Sequence, residues 1–315
     1  IIFKDELSMG YKETYNRWLT SDVVDDDTKA ELKSIENNEK EIEERFYREL
    51  EFGTAGMRGI IGAGTNRINI YNVRRASQGV AKYVLSNGED AAKAGVLIGY
   101  DTRNFSRTFA EETAKVLTCA GVKTYLFPIV HSVPEVSFGI RELGCSAGVM
   151  ITASHNPKEY NGYKVYGPDG GQLPPDAADV VVAAIDSYDI FDDVKFISLD
   201  EAKEKGLLEI VSSDLDEKFL DVVQTQQQNP EAVAEVADTF KLIYTPFHGT
   251  GSRPIKAILN RMGFKNVLVV KENTPKAIKN KIICIGRITI MRLVKKVTAA
   301  AMASAMALSL AACGG

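Results

Sequence analysis

This 315-residue chain is short of the residue types that serve most metal, redox and hydrolytic sites. It has four cysteines and three histidines. Cys119, Cys145, Cys284 and Cys313 show neither zinc nor redox spacing. Cys119 and Cys145 lie in apolar segments and read as buried free thiols, which fits a reducing, cytoplasmic setting. His131, His155 and His248 have no ligand spacing, so no histidine zinc site is expected. No serine sits in a Gly-x-Ser-x-Gly elbow. There is no basic excess either. Against 38 Lys and Arg stand 42 Asp and Glu, a net charge of −4. Composition therefore gives no reason to expect nucleic acid or an anionic membrane as partner, although a local basic pocket for phosphate stays compatible with it. No signal peptide is visible at the N-terminus, which begins at isoleucine. What remains is ordinary for a soluble globular protein: 45% hydrophobic and 25% charged residues, at a length suited to about two domains.

Residues 1 to about 50 are charged and read as helical, with Tyr11, Tyr15, Trp18 and Leu19 at the spacing of one packed stripe. Asp25-Asp26-Asp27 reads as a solvated helix start, and Glu31 to Leu50 as a second helix. Gly53 to Gly64 reads as a glycine-rich loop with one fixed cation, Arg58. Glycines let a backbone approach a ligand closely, and an arginine among them can hold phosphate bidentately. A surface turn with an incidental arginine is the plainer alternative.

Asn72 to Leu85 is an amphipathic helix ended by Asn87-Gly88. Val96–Tyr100, Val122–Phe127 and Ala147–Ile151 read as buried strands. Between them lie a helix opened by a Thr108/Glu111 capping box and closed by Gly121, and one with Pro134 in its first turn. This alternation predicts an α/β layer with a largely parallel centre. It places Asp101-Thr102-Arg103 at the C-terminal end of a strand, with Arg103 as a second ligand-binding cation or a structural salt bridge. Tyr163–Tyr166 is a short strand before a Gly167–Gly171 turn, and Lys164 on it reads at first as an exposed lysine. Pro175–Tyr188 is a helix. Acidic irregular sequence follows, then a helix over Asp214–Gln224 and a linker over Thr225–Pro230. A second α/β unit starts with strand Phe240–Tyr244, helix Arg253–Met262 and strand Val267–Val270. His248 sits on its strand-to-helix loop, as a turn residue or a phosphate-loop residue.

The stretch most loaded with chemistry is Thr152-Ala153-Ser154-His155-Asn156-Pro157, at the end of the third strand. Loops in that place commonly carry function. Ser154 and Asn156 could simply make a turn. A Ser–His hydrolase would need the two side chains to meet, and neighbours on an extended loop point apart. The third reading is a serine that carries a phosphoryl group among cations and backbone N–H groups.

Thr152–Pro157 followed by Asn161-Gly162-Tyr163-Lys164 resembles the active-site signature of the α-D-phosphohexomutases, the family of phosphoglucomutases and phosphomannomutases. Glu51-Phe52-Gly53-Thr54-Ala55-Gly56-Met57-Arg58-Gly59 is similar to the phosphoglucomutase branch that also includes phosphopentomutase-like members. Tyr244-Thr245-Pro246-Phe247-His248-Gly249-Thr250-Gly251 resembles the start of the family's second domain. The resemblance implies an α/β fold, a mixed sheet layered with helices, with one complete mutase-type domain and part of a second. It implies a helical extension over 1–50, domain I over 51–225 and partial domain II over 226–275. It also implies an enzyme that moves phosphate between the C1 and C6 oxygens of a hexose. Ser154, His155 and Lys164 would be catalytic, and Arg58, Arg103, Asn156 and His248 would bind phosphate. Mg²⁺ would sit on the phosphate of Ser154, and glucose 1,6-bisphosphate would be intermediate and activator. A pentose phosphate as substrate, or a non-catalytic phosphosugar-binding remnant, are the alternatives.

The chain departs from the family after Thr274-Pro275. An Asp-Gly-Asp-x-Asp-Arg-like metal loop is not found in the sequence, and Asp214-x-Asp216 opens a helix before the second domain. The segment 276–315 runs from basic Met291–Lys296 through apolar Val297–Ala312 to Leu310-Ala311-Ala312-Cys313-Gly314. That order resembles a lipoprotein signal at the wrong end of a chain. A frameshifted or artificial junction near Lys276 and an inactive fragment are expected, with a native tail helix as the alternative.

Overall fold

A computed structural model describes residues 10–53 and 56–270. The expectations for 276–315, and for Cys284 and Cys313, fall outside the described residues. Three helices open the chain: α1 (Tyr11–Thr20), α2 (Asp26–Ser34) and α3 (Glu39–Phe46). Asp25 caps α2 by accepting from Thr28 N. The single helix expected from Glu31 onward is two, because Asn38 accepts from Glu41 N and restarts the chain as α3. Trp18, Tyr15 and Phe46 are buried with Tyr71 and Phe191 in a small core of their own.

Then come β1 (Phe52–Gly53), β2 (Gly56–Ile60), α4 (Ile70–Ser86), α5 (Glu89–Ala94), β3 (Val96–Tyr100), α6 (Ser106–Cys119) and β4 (Thr124–Leu126). They are followed by α7 (Val133–Glu142), β5 (Ala147–Ile151), β6 (Tyr160–Tyr166), α8 (Pro175–Asp186), α9 (Leu199–Glu204), β7 (Leu208–Ile210) and α10 (Asp214–Gln224). The expected loop around Arg58 is thus strand β2. The segment expected to be irregular holds α9 and the edge strand β7, both too short for periodicity to register. Helix α6 begins at Ser106, two residues before the expected capping box, so Thr108 lies inside it.

One seven-stranded sheet runs β1-β2-β6-β5-β3-β4-β7. β5, β3, β4 and β7 are parallel, and β1, β2 and β6 add on antiparallel. Both faces are covered, so alternate residues of one strand enter different cores. Val96, Ile98, Val149 and Ile151 join Val80, Leu117 and Val181 on one side. Leu97 and Met150 join Val136, Ile140 and Leu215 on the other. Because the central strands are parallel, the segments after β3, β4 and β5 emerge at one edge. The chain continues as α11 (Pro230–Val236), β8 (Lys241–Tyr244), α12 (Ser252–Arg261) and β9 (Asn266–Val269), with β8 and β9 parallel in a separate sheet.

Candidate phosphoryl-carrier site

The site is built on that edge. After β5 the chain turns through Ser154 in the left-handed region, at φ +56°, a conformation a serine holds only when its surroundings fix it. Arg103 does the fixing. Its Nη1 donates to the carbonyls of Pro157 (2.9 Å) and Tyr160 (3.0 Å). Its Nη2 donates to those of Ser154 and Asn156, both at 2.7 Å. Nε lies 3.4 Å from Asp101 Oδ2. The guanidinium thus makes four hydrogen bonds to loop carbonyls and one ion pair. Of the two readings of Arg103, the structural salt bridge is present, with Asp101 as its partner, and the same guanidinium holds the loop.

Asp101 is the hub beneath, and its role was not evident in the sequence beyond its place at a strand end. Its carboxylate accepts from Thr152 Oγ1 (2.6 Å), Ser106 Oγ (2.8 Å) and Arg103 N (3.0 Å). Thr152 Oγ1 in turn accepts from Ser154 N at 3.1 Å. Asn161, fully buried, donates to Ser106 Oγ and to the Asn104 carbonyl, both at 2.9 Å. The Ser154 loop is thus tied to the segment after β3 on both sides of its turn.

Two cations flank it. Arg58 is exposed on β2 and donates from Nη1 to Asn156 Oδ1 at 2.9 Å. It stands opposite Gly162 in the β2–β6 ladder, and Lys164 is two residues on, so both side chains share one face. Met57 and Tyr163 take the other face, in the core. Lys164 is buried, 6% exposed, rather than the exposed lysine first read from the sequence. Burial pushes its ammonium below the ordinary lysine value, and the charge of Arg58 pushes it further the same way. Among the described residues neither cation has a carboxylate within ion-pair distance.

His155 is exposed, and its Nδ1 lies 3.3 Å from Ser154 Oγ. The side chains do meet, contrary to expectation, because the left-handed turn at Ser154 folds the loop back. Among the described residues no carboxylate orients the imidazole, so the third member of a hydrolase triad is missing. His248 approaches through its backbone: Thr102 Oγ1 donates to its carbonyl.

A magnesium ion is implied by the resemblance, but the residues present do not fit it. Asp101, at the end of the neighbouring strand, has its oxygens committed to Thr152, Ser106 and Arg103. The one three-member group of potential ligands among the described residues is His131, Glu135 and Asp216, on the loop before α7, on α7 and on α10, not on the Ser154 loop.

The family model for phosphoglucomutase/phosphomannomutase, alpha/beta/alpha domain I, matches residues 49–190. A phosphoglucomutase of Staphylococcus haemolyticus is 39% identical over 229 residues, 73% of this chain and 40% of that protein. A Schizosaccharomyces pombe protein named "Probable phosphoribomutase" is 36% identical over 262 residues, 80% of this chain and 43% of its own length. The chain therefore spans about two fifths of the curated relatives it matches. Among solved structures, a Thermus thermophilus protein aligns with TM-score 0.58 at 23% identity, over 72% of this chain and 47% of that one. A phosphoglucomutase/phosphomannomutase family protein of Burkholderia thailandensis aligns with TM-score 0.51 at 17% identity, over 73% and 45%. These two likenesses concern the fold.

Proposed function

Because the chain belongs to the phosphoglucomutase/phosphomannomutase family, matching it through domain I, we propose that Ser154 is the phosphoryl carrier of a hexose-phosphate mutase. The observation that carries the reading is a serine in a strained turn, clamped by Arg103, beside two cations that lack counter-ions among the described residues. In the first half-reaction the bond from Ser154 Oγ to phosphorus breaks as a sugar hydroxyl oxygen bonds to it. The hydroxyl proton leaves to a base while the freed Ser154 Oγ takes up a proton, and the second half-reaction reverses both transfers. Lys164, whose ammonium gives up its proton more readily than usual, is that base once neutral. The bisphosphorylated sugar turns end for end, and Ser154 Oγ takes the other phosphoryl group, leaving the isomeric monophosphate. Arg58 holds the equatorial oxygens during transfer. Asn156, bonded to Arg58, sets its direction, and His155 reaches the serine oxygen. We read 51–225 as domain I and 226–275 as the opening of domain II.

The preferred substrates are glucose and mannose 1- and 6-phosphates, with glucose 1,6-bisphosphate as the priming intermediate. The name of the fission-yeast relative supports a second reading, a pentose phosphate. Purified protein is incubated with glucose 1,6-bisphosphate or ribose 1,5-bisphosphate, with and without Mg²⁺, and phosphopeptides are mapped by mass spectrometry. Phosphate is expected on Ser154 and absent from Ser154→Ala. Phosphate on another residue, undiminished in that variant, overturns the assignment. Sustained turnover in a coupled glucose 6-phosphate dehydrogenase assay is not expected of the chain as it stands, since among the described residues no carboxylate trio accompanies Ser154.

A further inference from the structure

Two strands away from the carrier loop, on the same edge of the sheet, a second group of polar side chains converges that phosphoryl transfer does not use. Of the three histidines, His131 is the one that is buried, with 2% exposed. It lies between β4 and α7 and stacks on Phe127, with ring centroids 3.7 Å apart. Its Nδ1 is 2.9 Å from the carbonyl oxygen of Ile129, and its Nε2 is 2.8 Å from Asp216 Oδ1. A carbonyl oxygen can only accept, so Nδ1 carries the hydrogen. In the neutral ring, the Nε2 lone pair then points at a carboxylate oxygen. Two acceptors face each other, and a positive charge belongs between them, either a proton or a metal ion.

Three observations favour the metal. Glu135, four residues on and 6% exposed, supplies a third donor, and one ligand atom from each of the three lies within 4.8 Å of the others. An Nδ1–H bonded to a backbone carbonyl is the arrangement that fixes metal-binding imidazoles. Each carboxylate is likewise oriented through its other oxygen. Ser132 N donates to Glu135 Oε2 at 2.7 Å, and Arg253 Nη2 donates to Asp216 Oδ2 at 3.0 Å. A cavity of about 240 Å³, lined by Glu135, Asp216 and Arg253 among others, opens onto both carboxylates and gives a hydrated ion a way in.

We propose that His131, Glu135 and Asp216 bind one divalent transition-metal ion, with zinc the best match. One imidazole and two carboxylates, with a fourth position open to water, form a tetrahedral set suited to a borderline ion. An imidazole donor selects against magnesium and calcium. Zinc bonds of about 2.0 Å at tetrahedral angles separate ligand atoms by about 3.3 Å. Binding therefore widens the Nε2–Asp216 contact by about 0.5 Å, a small shift of α10. The ion would tie α10 to the loop before α7, and through Arg253 to α12.

The test is calorimetric titration of the EDTA-stripped chain with Zn²⁺ and with Co²⁺. One ion per chain is expected, with Kd in the micromolar range or tighter. The Co²⁺ form should show visible absorption of nitrogen–oxygen ligation without a thiolate charge-transfer band. Asp216→Asn, Glu135→Gln and His131→Gln should each weaken binding by about 100-fold or more, while Ser154→Ala leaves it unchanged. Circular dichroism checks that each variant is folded. If His131→Gln does not fold, the two carboxamide variants carry the test. No saturation by millimolar Zn²⁺, a thiolate band, or undiminished binding in Asp216→Asn each overturn the proposal and leave a proton between His131 and Asp216.

Discussion

Arg58 and Lys164 stand side by side without, among the described residues, a carboxylate to balance them. For Lys164 this has a thermodynamic sign. Its folded-state value lies below the ordinary 10.5. Between the two values the unfolded chain binds the extra proton, so stability rises with pH across that window. Lys164→Met fills the same space without the buried charge. It is expected to leave stability unchanged or raise it by about 1 kcal/mol in urea melts at pH 7. Phosphorylation of Ser154 by the bisphosphate should meanwhile fall about 100-fold. Arg103→Met should do the reverse in stability. It strips donors from four carbonyls and from Asp101 at a site where the arginine side chain is 13% exposed, and about 3 kcal/mol should be lost. Amide exchange at 154–156 should rise with it. Arg58, Ser154 and Lys164 were legible in the sequence because motif and spacing carry them. A salt bridge at Arg103 was one of its two readings and is present, but its bonds to four carbonyls were not legible, because binding to carbonyl oxygens leaves no mark on the partner residues. Nor was the approach of His131 to Asp216, 85 positions apart.

At the scale of elements, the Ser154 loop is only as firm as the strand that receives it. Thr152 N donates to the Gly162 carbonyl at 3.0 Å. A Cβ on Gly162 would lie 2.5 Å from the Thr152 carbonyl oxygen and 2.9 Å from that of Met57. Both are backbone atoms of flanking segments and cannot swing away. Gly162→Ala should therefore cost about 3 kcal/mol, at the upper end of overpacking. A fall in melting temperature accompanied by faster proteolysis between 152 and 160 would show it. The long, strongly patterned elements α4, α7, β3 and β5 could be read in advance. Three features could not. The break between α2 and α3 rests on one asparagine cap. The pair α9 and β7 is shorter than a readable period. The start of α6 coincides with a side-chain bond from Ser106 to Asp101, five residues back, and not with the expected capping box.

Across the whole molecule, the N-terminal helices are pinned to the segment after α8. Arg17 donates to both oxygens of Asp189 at 2.7 Å and to Asp192 at 3.0 Å. Trp18, 1% exposed, makes edge contacts with Phe46, Tyr71 and Phe191. The Arg17 guanidinium holds the Asp189 carboxyl well below the usual carboxylate range. A carboxyl so depressed adds its full stability above the ordinary value of 3.8 and loses it as pH falls below. Both side chains are about one third exposed, so solvent tempers the effect. Trp18 is the sole tryptophan, and its fluorescence reports this contact. Its emission should move to the red as pH falls below about 4, and Asp189→Asn should flatten that part of the titration. Emission that stays blue to pH 2 in the parent chain would contradict the pinning.

The alternation of faces along β6 has a consequence for how the gene can drift. Gly162 and Lys164 face Arg58, while Tyr163 and Val165 face the core. Losing or gaining one codon inside 160–166 would send a lysine into the core and a valine out to the cations. A change of two codons would restore the faces. Length variation among descendants of this chain should therefore collect in the 167–171 turn and be absent from the strand.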